Sequence, residues 1–122
     1  MTNAPKLSEA DLSRFTGTEY WYRHALNRNV LYTDGAKYVA DQGGAYWLLD
    51  MIAVAQFYEK RIGRMPFQVW KLAVHTDRSA TVTCEDGNYN VVFTNRLDFS
   101  DFPAAGVTLW FAHNVIYLPS EH

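Results

Sequence analysis

Asp50 is the first residue to ask about chemistry. It sits in the segment AYWLLDMIAVAQFYEKRI (45–62), whose first fourteen residues are otherwise apolar or amphipathic apart from Gln56. A partly desolvated carboxylate there would have a raised pKa and could serve as a general acid or base. The competing role is an anchor that accepts hydrogen bonds from backbone, from Arg61 or from a tyrosine hydroxyl. Removing one partner of a buried pair costs on the order of 3–5 kcal/mol. On a 100° wheel Asp50 lies beside Trp47, Val54, Phe57 and Arg61, at the border of the apolar stripe and not at its centre. The wheel favours a structural carboxylate.

The histidines are His24, His75, His113 and His122, and no H-x-x-x-H or H-E-x-x-H pattern joins any two of them. A site made of His24, His75 and Asp34 would have to be assembled by the fold. Cys84 is the single cysteine, so no intramolecular disulfide and no multi-cysteine zinc site can form. Its neighbours Glu85 and Asp86 would raise the thiol pKa, which describes an inert, half-buried cysteine. There is no G-x-x-x-x-G-K and no G-x-G-x-x-G. Gly43-Gly44 before a helix could offer N–H groups to an anion, and a helix-to-helix hinge explains it equally well. No catalytic residue, metal or cofactor is assigned on this basis. The remaining candidate is the loop DFSDFP (98–103), which sets Phe99 and Phe102 between Asp98 and Asp101. With its rings outward it is an acidic aromatic partner-binding surface. With its rings inward it is a loop pinned to the core.

The elements that must position these residues follow from periodicity. Ser8 caps a short helix over 8–15, with Asp11 in the capping-box position and Gly17 beyond its end. EYWYRHA (19–25) and 30–32 form a hairpin around Asn27-Arg28-Asn29. Asp34-Gly35 fits a hairpin turn or the start of a helix. The shared face of Ala36, Val39 and Ala40 favours a helix over 36–42 capped by Thr33. The 45–62 run is a long central helix, stopped at Gly63 and Pro66. Beyond it FQVWKLAVH (67–75) alternates, and further strands fall at 80–84, 89–94, 107–112 and 115–118. These strands predict an α+β fold. An antiparallel meander of about five or six strands packs against the long central helix and one or two short N-terminal helices.

One domain over 1–122 is expected, with 1–7 a flexible lead-in. The net charge is −2, and after Arg64 only Lys71, Arg78 and Arg96 are basic. The best basic candidate is the loose set Lys60, Arg61 and Arg64, which closes a helix where cations complement the macrodipole, so no direct nucleic-acid partner is expected. The N-terminus has no signal-peptide pattern and no segment reaches a membrane span, so a cytoplasmic location is expected. Nineteen aromatic residues offer more apolar area than a domain this small hides with ease, which leaves tyrosine and tryptophan for an interface.

Six strings, YTDG (32–35), AYWLLD (45–50), FQVWKL (67–72), EDGN (85–88), DFSDFP (98–103) and LPSE (118–121), together carry a resemblance. In order and spacing the chain resembles a family of small uncharacterised bacterial proteins found on plasmids, phages and other mobile elements. Ser100 stands where that pattern has Thr. The resemblance brings no activity and no catalytic residue. It implies a genomic setting in which small domains act by binding host or competitor machinery. With the aromatic surplus it leads to the expectation of a non-enzymatic protein-binding module, an inhibitor of a host defence complex such as CRISPR–Cas. A small hydrolase or lyase using Asp50, Asp34 or a histidine is the alternative. A self-associating protein, paired through an edge strand at 107–112 or 115–118, is another.

Overall fold

The computed structural model describes residues 8–122, so the expected lead-in at 1–7 lies outside the described residues. The chain runs α1 (Glu9–Leu12), β1 (Trp21–Arg23), β2 (Leu31–Thr33), α2 (Asp34–Gly43), α3 (Tyr46–Tyr58) and α4 (Lys60–Gly63). Then come β3 (Phe67–Val74), β4 (Ala80–Asp86), β5 (Val91–Leu97), β6 (Gly106–Ala112), β7 (Val115–Tyr117) and a 3-10 turn, Pro119–Glu121. The class is α+β, but the expected arrangement is corrected in two respects.

The sheet is neither five- or six-stranded nor antiparallel throughout. It has seven strands in the order β1-β2-β7-β6-β3-β4-β5. β2 and β7 run parallel, with Leu31 beside Val115 and Tyr32 beside Ile116. The other five pairings are antiparallel. Hairpins are visible in local sequence, whereas a parallel pair needs a long crossover and leaves no local mark. β6 and β7 are therefore interior strands, and the free edges belong to β1 and β5.

The long central helix is also absent. The 45–62 segment breaks at Glu59, whose φ of −107° and ψ of 89° are not helical. α4 then folds back on α3. Gly63 comes so near the Gln56 carbonyl that a Cβ would lie 2.5 Å from the oxygen. A buried amide network holds the bend. Gln56 and Gln68 exchange two hydrogen bonds of 2.9 Å, and Gln68 Nε2 also donates to the Ile62 carbonyl at 2.8 Å. Trp70 Nε1 donates to Gln68 Oε1 at 2.9 Å. Every buried polar atom in this contact is paired, as burial demands.

Helix α2 starts where Thr33 predicts. Thr33 Oγ1 accepts from Ala36 N and donates to Glu121 Oε1, at 3.2 and 2.7 Å. Glu121 also accepts from Gly35 N and Leu118 N. A Cβ on Gly35 would sit 2.5 Å from Glu121 Oε1, so glycine is required for this approach. YTDG and LPSE are thus one unit: a carboxylate set at a helix N-terminus, where the macrodipole favours it.

Alternation along β3 turns Gln68, Trp70 and Leu72 into the core, with Leu48, Leu49, Ile52, Val39 and Ala40 from the helices. Phe67, Val69, Lys71 and Ala73 face the other way. Beside the short β7, α1 is fastened to the 3-10 turn by Ser120 Oγ, which donates to the Leu12 carbonyl at 3.1 Å.

Candidate functional site

The sheet face turned away from α2, α3 and α4 divides into two halves, read from the register. One half is threonine-rich: Thr108, Lys71, Thr83 and Thr94 stand in one row across β6, β3, β4 and β5. Lys71 Nζ pairs with Glu85 there at 3.1 Å. The other half is aromatic. Val69 stands opposite Trp110, Trp110 opposite Tyr117, and Phe67 opposite Ala112. The Trp110 ring lies 5.2 Å from Phe67, 6.0 Å from Tyr117 and 5.6 Å from His122, each edge to face. Such pairs add about 0.5–1.5 kcal/mol each beyond area burial. Next to them a hollow of about 490 Å³ is walled by Phe67, Tyr117, His122 and Trp21, and Trp21 is 55% exposed. Glu121 is the charged residue of the wall, and a cation stands nearby. Arg23 lies at the end of the Phe67–Ala112–Val115–Leu31 row, and His113 and His122 line the wall. The Glu121 carboxylate is committed to Thr33, Gly35 and Leu118.

The residues singled out in sequence end up in separate places. Asp50 Oδ1 lies 2.8 Å from His24 Nε2, not beside Arg61 or a tyrosine. His24 is 4% exposed, and its Nδ1 accepts from both Leu26 N and Asn27 N at 3.1 Å. Nδ1 therefore carries no proton, and Nε2–H donates to Asp50. Two of the residues nominated for acid–base chemistry do meet, but neither ring nitrogen is open to a substrate proton. What the pair does is hold the 24–29 turn to α3. Asn27 finishes the joint, donating to the Ala53 carbonyl at 2.9 Å and accepting from Asn29 N at 3.2 Å. Twenty-six residues separate His24 from Asp50, and no local pattern joins them.

Asp34 is elsewhere, at the start of α2. It accepts from Glu19 N at 2.9 Å, Tyr20 N at 3.4 Å and Tyr22 Oη at 3.1 Å. The Glu19 N–H leads in holding its carboxyl below the ordinary range. His75 Nε2 lies 3.0 Å from Thr81 Oγ1, far along the chain from the His24 joint and in no contact with it. Cys84 is buried, and burial first, then Glu85 and Asp86, pushes its thiol up to about 12. Among the described residues no group of three or more His, Cys, Asp or Glu could hold a metal ion. Among them too, no helix is long and apolar enough to cross a membrane.

The DFSDFP loop is split. Phe102 is 1% exposed and sits in the core, while Phe99 is 67% exposed between the exposed Asp98 and Asp101. Ser100 is buried, and its hydroxyl accepts from Phe102 N at 3.2 Å. Arg78 fastens the loop: its carbonyl accepts from Ser100 N at 2.8 Å, and its Nη2 donates to the Phe102 carbonyl at 2.9 Å. Loop and joint geometry thus account for four of the six strings, and FQVWKL supplies both the amide network and the aromatic face. Residues 6–122 match one family over nearly their whole length. The chain belongs to DUF6876, a family of unknown function. Neither a curated protein nor a solved structure matches it. The family assigns no residue a role, so the site rests on the geometry above.

Proposed function

We propose that this chain is a small, non-enzymatic protein-binding module that seats its partner on the aromatic half of the open sheet face. One observation carries the reading. Phe67, Tyr117, His122 and the exposed Trp21 line one hollow on the face opposite the helices, and Trp110 packs against three of them. Aromatic anchors in a hollow with a polar rim are the usual make-up of a binding hot spot. Glu121 is engaged by the chain's own donors and Arg23 ends the neighbouring row, which favours a partner surface of an apolar side chain flanked by acidic groups. Asp98, Phe99 and Asp101 form a second, smaller contact, and Phe102 serves the core. The finer reading is a module carried by a mobile element and acting on a larger host complex such as a CRISPR–Cas effector. That reading is supported by the resemblance of the six strings alone.

The test compares tagged wild-type chain with Trp21→Ala, Tyr117→Ala and Phe99→Ala in host lysate, each first checked for a native far-UV spectrum. The expected result is a stoichiometric acidic partner lost from Trp21→Ala and Tyr117→Ala and weakened in Phe99→Ala. Retention by both face variants, or no stoichiometric partner, removes the proposal.

A further inference from the structure

A second concavity adjoins the aromatic hollow and shares Pro66 and His113 with its wall. It opens between the 27–29 turn, the end of α4 and the β6–β7 turn, with a volume of about 640 Å³. That is within the range of small-molecule sites, about 300–1,000 Å³. Its wall includes Arg23, Arg64 and His113, the amides of Asn29 and Asn114, and the ring of Phe57, and no acidic residue. Of the two arginines in the wall, Arg23 donates from Nη1 to the Arg28 carbonyl and Arg64 is exposed.

Arg23, Asn27 and Gln56 of the cleft wall are engaged elsewhere, and the other polar side chains are not. Among the described residues the Arg64 guanidinium, the His113 ring and the amides of Asn29 and Asn114 have no hydrogen-bond or ion-pair partner. His113 and Asn114 also both lie at positive φ, 52° and 63°. A two-residue hairpin turn of this kind favours glycine or asparagine, and histidine is a costly occupant of the first position. Phe57 completes the set, with its ring 52% exposed at the rim.

We infer that this cleft binds a nucleoside phosphate. Arginine matches a phosphate in bidentate geometry. An exposed ring offers a stacking surface to any base, and asparagine amides can both donate to and accept from a base edge. A bare inorganic anion would use the arginines and leave the ring and the amides idle. The shared chemistry has two sources, a free nucleotide and a single strand of nucleic acid.

The experiment is a ¹H–¹⁵N NMR titration of the full chain with adenosine monophosphate, adenosine, inorganic phosphate and an oligothymidine of about eight nucleotides. Adenosine monophosphate is expected to shift the amides of Asn29, Arg64 and His113 saturably, and adenosine to bind at least about tenfold more weakly. Arg64→Ala, an exposed position, is expected to weaken monophosphate binding about tenfold. Phe57→Ala is expected to weaken the monophosphate and leave inorganic phosphate unchanged. Tighter binding of the oligothymidine at the same amides identifies a strand as the source, and preference for the monophosphate identifies a free nucleotide. Binding by neither overturns the inference. So do equal binding of adenosine, an unchanged Arg64→Ala, and shifts confined to other surfaces.

Discussion

The joint that fastens the 24–29 turn to α3 and the cleft that opens beside it use the same kinds of residue and end in opposite states. In the joint His24 and Asn27 are buried, and each polar atom has a partner on Asp50, Ala53 or the turn itself. In the cleft His113, Asn29 and Asn114 point their side chains at open space, and Arg64 stands with them. A histidine or an asparagine therefore says little by type. Its meaning comes from whether the fold has already used its hydrogen-bonding capacity. Saturated groups hold the chain together, and unsaturated ones are left for something else.

The comparison breaks if the joint proves dispensable. His24→Ala removes the acceptor of two buried N–H groups and leaves Asp50 without its donor. It is expected to cost about 2–4 kcal/mol in urea denaturation. A loss under about 0.5 kcal/mol would place His24 among the idle residues. Asn27→Ala should cost less, about 1–3 kcal/mol, because it orphans the Asn29 N–H and one α3 carbonyl and no charged group. Arg64→Ala should stay within about 0.5 kcal/mol of wild type, since nothing in the fold depends on its guanidinium.

The smallest effect concerns a second saturated group. The Asp34 carboxyl is held below its ordinary value, chiefly by the Glu19 N–H, so its folded pKa is depressed relative to 3.8. Its contribution is present above that value and fades as pH falls through the folded pKa. The Tm gap between wild type and Asp34→Asn should be widest near neutral pH and close below about pH 4. A gap independent of pH would mean that the ionised carboxylate contributes nothing.

Much of this was legible in the sequence, and the failures share a cause. The Thr33 cap, the β1–β2 and β6–β7 hairpins and the alternation of β3 come from spacing within a few residues, and all appear in the structure. The same alternation already showed that Phe67 and Val69 lie opposite Trp70 and Leu72, so that neither face of β3 is wholly polar. What was missed lies at long range. The His24–Asp50 contact, the β2–β7 pairing and the Gln56–Gln68 network join segments that share no local pattern. The helix break at Glu59 belongs with them. An apolar run predicts a helix, but the amides of the facing strand decide where it bends. Within the DFSDFP loop, composition could not separate Phe99 from Phe102, because only packing against Ser100 and Arg78 assigns one ring to each side.

The place of β7 also governs the order in which the molecule can assemble. It is made after every other strand, yet it lies between β2 and β6. During synthesis the β3–β4–β5 meander can form from near neighbours and β6 can add to β3, while the β1–β2 hairpin has no sheet to join until residues 115–117 arrive. Contacts of such large sequence separation are closed late and slow the overall rate. The open edge of β6 stays unpaired until then, and an unpaired strand edge recruits other chains. A growing or truncated chain would thus meet its main hazard at an edge that the finished molecule does not display.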